Sequence, residues 1–597
     1  MNEEDDNNRR LLLAGALCFA VMVAWQALFP APEPPAASET PTVEVGEDEE
    51  DEPLVASTST LAAAPAVATS STSSTSATVA ARTAVSPAVQ PKVSTFEGAG
   101  TLIDEEVPYV ARFTNVGGAF EGFELPSYRE RGTDTRATDE AIQLATPVMS
   151  ARKSQLRLAQ MAGIELVGES SFELPSRPVY EVVEESADAV RYRFRTESGV
   201  VVERSYRVLS DRFTIDFDVT FRNESNQPQT AEMALSSGLK ANEAMKSGGG
   251  FFAFMRPPAD HLESICEVDG SVYREALQSL DDGEVERTDG AVRWIGVDRQ
   301  YFLSALIRRG ETLGAGRCEL SKSGEIARSR MVLPAAELAP GKSLTYGFTA
   351  YLGVKESSTL EAVSPTLDGA INYTILGLSL APVCEALLWI MGMIFQITGS
   401  WGLAIIGLTV LVKGALFPLN QRQGKSMRAM SALRPQMDAI REKHPEDKQR
   451  QSEEMMRLYR EHNVNPAAGC LPILVQMPIW LSLYRALSVS VDLYQEGFLW
   501  IPDLTARDPY YVLPVVLMAV MFLQQRMMPA AMDPAQQKIM QYTMPLMFGL
   551  FMFGLPAGLC FYILVNSLLT ILQQWVINRT LGPMTPAAGG KGLAKDS

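Results

Sequence analysis

WGLAIIGLTVLVKGALFPL, residues 401–419, is an almost unbroken apolar run with one lysine, Lys413, inside it. At about 1.5 Å per residue, a helix of this length crosses a hydrocarbon core of about 30 Å. An ammonium group in such a span costs roughly 2.5–3.5 kcal/mol on insertion scales, so it faces a polar cavity or marks function. Thr409 lies four residues before Lys413 and therefore on the same helix face.

The chain after this helix alternates between basic and apolar stretches. Residues 421–468 carry ten Lys or Arg against seven acids, and the positive-inside rule assigns them to the cytoplasm. Met427, Met430, Leu433, Met437 and Ile440 recur at steps of three and four, which predicts one amphipathic helix. A turn at His444 to Asp447 and a second helix to His462 complete a helical hairpin. Further crossings are expected at about 470–488, 510–527, 542–555 and 557–575, the last two split by Leu555-Pro556-Ala557-Gly558. The arm at 542–555 is short for a crossing, which implies local membrane thinning. The outer loop at 489–509 holds four acids and one arginine, and Arg485 can snorkel at the outer end of its helix.

Upstream, Arg9 and Arg10 precede an apolar stretch at 11–29, longer than a cleaved signal core and expected to be an uncleaved anchor closing segment 1–29. Residues 30–92, rich in Pro, Ala, Ser and Thr with an acidic run, read as a disordered linker. From residue 93 to 357 the period falls to two. Phe213, Ile215, Phe217, Val219 and Phe221 alternate with polar residues, and VVERSYRVL before them reads as the hairpin partner through Ser210-Asp211. Repeated runs of this kind predict one large all-β sandwich. Segment 358–399 is expected to be a connector and an interfacial helix: crossing parity, together with Pro382 and Glu385, argues against a span at 371–395. Six crossings then place both termini in the cytoplasm, with a helical core at 400–580 and a tail at 581–597.

Charge is divided along the same lines. Of a net −18, residues 30–400 account for −21, from 32 basic and 53 acidic side chains. An acidic ectodomain excludes DNA as its direct partner, because phosphate binding needs clustered Lys and Arg. The six cysteines show neither CxxC nor metal spacing, and no motif calls for a cofactor. Cys266 and Cys318 read as two buried thiols, with a disulfide as the alternative. No nucleophile–base pair or carboxylate constellation stands out, so catalysis is not expected.

Lys413, Thr409, Gln476, Tyr562 and Asn566 are the candidate site residues, polar groups inside predicted crossings; Gln573 is a further intramembrane polar residue. No acid is available in those crossings to neutralise Lys413, which points to a wet groove open to polar or anionic matter. Eighteen of 26 methionines follow residue 390, a composition suited to surfaces that accept varied apolar segments.

The blocks WGLAIIGLTVLVKGALFPL, RPQMDAIREKHPEDKQRQSEEMMRLYREHNVNPAAGCLPILVQMPIWLSLYRAL, DPYYVLPVVLMAVMFLQQRM and DPAQQKIMQYTMPLMFGLFMFGLPAGLCFYILVNSLLTILQQ together resemble the Oxa/Alb/YidC membrane-protein insertases, in the Gram-negative form. NVGGAF and WIGVDRQYF resemble parts of that family's periplasmic β-supersandwich. The resemblance implies a multi-domain protein of the bacterial inner membrane: a periplasmic supersandwich, six transmembrane helices of which five form the core, and a cytoplasmic helical hairpin. It implies a hydrophilic groove open to cytoplasm and lipid, through which nascent membrane proteins enter the bilayer alone or beside the Sec translocon. The hairpin at 421–468 and the tail are then expected to meet the ribosome or targeting machinery, and the core to meet membrane lipid. The groove cation is usually arginine in that family and is Lys413 here, which removes the bidentate fork. Ile563 stands where a second tyrosine is common. An anion transporter or channel using Lys413 is the alternative function.

Overall fold

The computed structural model describes residues 89–580 except 103–104, 133–136, 146–159, 176, 210–211, 243–260, 311–313, 376, 446, 463, 465–470 and 528–538. The expected anchor at 1–29, nearly all of the linker, the Ser210-Asp211 turn and the tail at 581–597 lie outside the described residues.

Alternation of apolar and polar residues builds the first half. Phe213, Ile215, Phe217, Val219 and Phe221 are each 1% exposed or less, and the strand Thr214–Asn223 pairs antiparallel with Val200–Val208 as the hairpin reading expects. They belong to a nine-stranded sheet in the order Ser271–Ala276, Leu262–Val268, Val292–Arg299, Phe302–Arg308, Ser343–Val354, Thr214–Asn223, Val200–Val208, Ala189–Arg195, Glu181–Glu185. A five-stranded sheet, in the order Val285–Gly290, Gly316–Ser323, Ile326–Val332, Met233–Lys240, Gly163–Leu166, packs over part of its face. A four-stranded meander from Val93 to Ala145 adds Tyr109, Phe113, Phe120 and Phe123 to the same core. There the Tyr206 ring sits between Phe113 and Phe217, with centroids 4.6 and 5.4 Å away. Burying each such ring contributes about 1.5–3 kcal/mol.

The cysteine reading needs correction. Cys266, on Leu262–Val268 of the large sheet, is bonded to Cys318, on Gly316–Ser323 of the small one. Distance in sequence concealed the pair, because the sandwich brings two strands 52 residues apart face to face. Closing a loop of that length removes unfolded-state entropy equivalent to roughly 4 kcal/mol.

The second half is helical. α1 (Ser357–Val363) follows the last long strand, its N-terminal amides capped by the Glu356 carboxylate. The others are α2 (Ala381–Thr398), α3 (Trp401–Ala432), α4 (Arg434–Lys443), α5 (Lys448–Glu461), α6 (Leu471–Val489), α7 (Val512–Met527), α8 (Met544–Met552) and α9 (Ala557–Thr580). Among the described residues, three stretches are long and apolar enough to cross a membrane: Ala381–Thr398, Trp401–Gln421 and Ala557–Ile577; Val512–Met527 is a shorter apolar helix. α9 packs on α7 and α3, α2 on α3 and α6, and α8 on α7. Gly549 permits the last contact, since a Cβ there would fall 1.8 Å from Met518 Cγ.

Three helix boundaries differ from expectation. Pro382 does not interrupt a helix; it sits in the first turn of α2, where its missing N–H costs nothing. α3 continues through Pro418 and past residue 419 to Ala432. The single amphipathic helix over Met427 to Ile440 is cut at Leu433, and Pro435 in the first turn of α4 explains the break, since a proline there has no N–H to continue α3. Leu433 and Met437 still bury against Leu458 of α5, so α4 and α5 form the expected helical pair.

The segment between α6 and α7 is docked on the β domain. Tyr494 packs among Tyr128, Tyr301 and Phe302, and its hydroxyl donates to Arg129 O at 2.8 Å. Arg131 reaches into this segment with its guanidinium 4.3 Å from the Tyr494 ring centroid and 2.7 Å from Asp503 Oδ2. It also donates to Thr505, whose hydroxyl donates to Asp503 Oδ1 at 2.6 Å. Arg485, expected to snorkel, instead donates from Nε to Asn372 O at 2.5 Å.

Candidate functional site

Lys413 projects from α3 toward α9. Its Nζ donates to Thr570 Oγ1 at 2.9 Å, and Thr570 in turn donates to Asn566 O at 2.7 Å. The ammonium is half-buried, and among the described residues no carboxylate pairs with it. One hydroxyl does not satisfy three ammonium protons, so the ammonium keeps hydrogen-bonding capacity beyond Thr570.

α9 supplies the opposite wall. Tyr562, Asn566, Thr570 and Gln573 are spaced by four, four and three residues, which at about 100° per residue confines them to an arc of about 80°. Tyr562 is buried, and its hydroxyl accepts from Gln476 Nε2 of α6 at 3.2 Å. Among the described residues the Gln573 side-chain nitrogen is buried without a hydrogen-bond partner. Three helices, α3, α6 and α9, thus contribute one polar seam through an otherwise apolar bundle.

Of the candidate residues, Lys413, Gln476, Tyr562 and Asn566 lie along this seam. Thr409 does not extend its hydrogen-bonding: it is buried and its hydroxyl donates to Ile405 O of its own helix at 2.6 Å. This is the common fate of threonine inside an apolar helix, where the preceding turn offers the nearest acceptor. Thr570 was missed in the sequence reading. Its signal was present, since it falls four and eight residues after Asn566 and Tyr562, but a threonine attracts less notice than an amide in an apolar run.

The seam offers one cation and several neutral donors and acceptors in a setting of low polarity. It can attract a carboxylate and lower the desolvation cost of a polar segment. It holds no nucleophile with an adjacent base.

Two family models match the chain: 60Kd inner membrane protein over residues 393–583 and YidC periplasmic domain over residues 106–383. A membrane protein insertase YidC of Anaeromyxobacter dehalogenans (strain 2CP-C) is 31% identical over 587 residues, covering 98% of this chain and 99% of the relative. Another, from Anaeromyxobacter sp. (strain Fw109-5), is 34% identical over 490 residues, covering 80% and 84%. A crystal structure described as an active YidC insertase with its first transmembrane domain resolved aligns at 18% identity and TM-score 0.34, covering 81% of this chain and 94% of that one.

Proposed function

We infer how the chain works from one premise: it belongs to the YidC family of membrane protein insertases. Its function is membrane protein insertion, it carries the family's periplasmic domain, and it is not an enzyme. The anion-transporter alternative has no support among these relatives.

We propose that the polar seam of α3, α6 and α9 is the surface on which a nascent chain enters the bilayer. Lys413, Gln476, Tyr562, Asn566 and Thr570 lower the desolvation cost of the polar flank of that chain, and Lys413 attracts its acidic residues. Thr409 shapes the helix rather than touching the client. The observation that supports this reading is the Lys413 ammonium, hydrogen-bonded to Thr570 and carrying no carboxylate partner among the described residues. A cation is kept inside an apolar bundle when something anionic passes it.

The same proposal covers the topology. Crossings at 11–29, 401–419, 470–488, 510–527, 542–555 and 557–575 place α4, α5, the N-terminus and the C-terminal tail in the cytoplasm and the β domain in the periplasm. α2 is long enough to span, yet Trp389, Met393 and Ile397 form an exposed stripe along one side, which favours a helix lying in the outer interface. The pair α4 and α5, with Lys443 and His444 both on Glu454, is a compact charged projection suited to ribosome or targeting contacts. The Sec translocon is a proposed lateral partner, and lipid surrounds the core.

Reconstituted vesicles test the site. Lys413→Met is expected to impair insertion of a substrate with an acidic translocated tail, and Lys413→Arg to restore it. Unchanged insertion by Lys413→Met would remove the charge from the mechanism.

A further inference from the structure

The junction between the β domain and α6 holds a cluster of charges that the polar seam does not use. Strand Leu262–Val268 sets Glu263 opposite Asp298 of Val292–Arg299, and His261 stands just before that strand. Side-chain atoms of His261, Glu263 and Asp298 lie within 4.8 Å of one another. Asp298 is wholly buried and both its oxygens are taken, Oδ1 by Lys355 Nζ at 2.6 Å and Oδ2 by Arg274 Nη1 at 3.2 Å. Arg274 also stands 3.6 Å from Glu263 Oε2 and donates to Gly369 O. α6 closes the cluster from the other side. It contributes the charge of Arg485, near enough to act on His261, with the guanidinium held by Asn372 O. One turn on, Ser488 O accepts from Gln300 Nε2 at 2.8 Å, and Gln300 N donates to His261 O at 3.4 Å.

Among the described residues, two carboxylates therefore meet three cations, Arg274, Lys355 and Arg485. The cluster carries a surplus positive charge before His261 titrates, and a proton on the ring adds a second. Burial is the main reason that the His261 imidazole is held below its usual 6.5. Lys355 and Arg485 push in the same direction, and Glu263 and Asp298 oppose them without prevailing. His261 is only partly enclosed, which gives the proton a way in.

We propose that His261 makes this junction a pH-sensitive clasp: in an acidified periplasm the protonated ring repels Lys355 and Arg485 and releases the end of α6 from the β domain. Released, the ring binds a proton near pH 6.5; docked, it does so only in more acid solution. As pH falls below about 6.5, the released state gains proton binding that the docked state lacks. The docking equilibrium then falls by up to about tenfold per pH unit, until the docked ring itself titrates. Asp492, in the loop after α6, acts with the opposite sign. Burial raises its carboxyl above the usual 3.8, so its proton uptake favours the docked state. The helix end released in this way belongs to α6, which carries Gln476 of the seam.

Hydrogen exchange of the full-length protein in lipid nanodiscs, with rates corrected for the intrinsic effect of pH, tests this. Between pH 6.5 and 5.5, protection of residues 369–375 and 484–490 is expected to fall by up to about tenfold in wild type. Strand Thr214–Asn223, remote from the junction, is expected to keep its protection. His261→Gln, which is neutral at every pH and leaves Asp492 in place, is expected to remove most of the fall. Arg485→Gln, which removes the cation facing the ring, is expected to make it shallower. Equal falls in wild type and His261→Gln would overturn the proposal, as would a rise in wild-type protection. A fall that extends equally through Thr214–Asn223 marks general acid unfolding and would overturn it too. Circular dichroism at pH 7.5 screens both variants for folding. If His261→Gln fails that screen, the Arg485→Gln slope decides, and a slope equal to wild type counts against the clasp.

Discussion

Replacing Thr570 with valine removes the one hydrogen bond that the Lys413 ammonium makes among the described residues while preserving shape. Threonine and valine are nearly isosteric and have similar helix propensity, so α9 itself is little affected. A hydrogen bond to a charged group is worth about 1.5–3 kcal/mol when water is excluded. Lys413 and Thr570 are half-buried, so water replaces part of what is lost, and about 1 kcal/mol remains as the expected effect. If Thr570 holds the ammonium where an acidic tail passes, Thr570→Val slows insertion of that substrate about fivefold, while a substrate with a neutral tail is unaffected. Thr570→Ser restores the rate. In a double-mutant cycle, Thr570→Val adds nothing once Lys413 is methionine. The assay is protease protection of tails inserted into vesicles of defined lipid. Equal slowing of acidic and neutral tails, or an additive double mutant, would refute the reasoning and reduce Thr570 to helix packing.

Three more outcomes follow from the β domain and its junction. Arg131→Ala leaves Asp503 buried without its cation, a change worth about 3–5 kcal/mol; hydrogen exchange is expected to rise across residues 490–508 and not across α9. Burial pushes the Glu130 carboxyl up, but the Arg299 guanidinium bonded to it outweighs burial and holds the carboxyl below its usual 4.5. That pair therefore contributes its full stability above about pH 4.5 and loses it as pH falls through the lower, folded-state value. Thermal melts of Glu130→Gln are expected to show a smaller loss of stability between pH 5 and 3 than wild type, and parallel curves would count against the pair. Replacing Cys266 and Cys318 with serine is expected to lower the melting temperature of the β domain without altering insertion rates at 25 °C.

The polar seam was largely legible before any tertiary contact was known. Residues Lys413, Gln476, Tyr562 and Asn566 are polar in runs that are mostly apolar, and a bilayer makes such residues expensive enough to notice. The alternation at Phe213 to Phe221 was equally plain, because a half-buried strand writes its two faces into a period of two. Helix ends were less so: Pro382, Pro418 and Pro435 read alike in sequence, yet one opens a helix, one is carried inside α3 and one separates α3 from α4. A proline's consequence depends on whether the carbonyl it deprives has another partner.

Sequence by itself thus determined the division into acidic β domain and apolar helical core, and singled out as the point of interest a lysine in a stretch long and apolar enough to cross a membrane. Those properties reside in composition and period, which each segment carries alone. Only the tertiary structure decided that Lys413 meets Thr570 some 157 residues away, that Cys266 and Cys318 are bonded, and that Arg131 locks the β domain to the loop before α7 through Asp503, 372 residues distant. Each of these joins side chains from separate elements, and their distance is fixed by how sheets and helices pack. Local pattern specifies which face of an element is buried, but not which element will cover it.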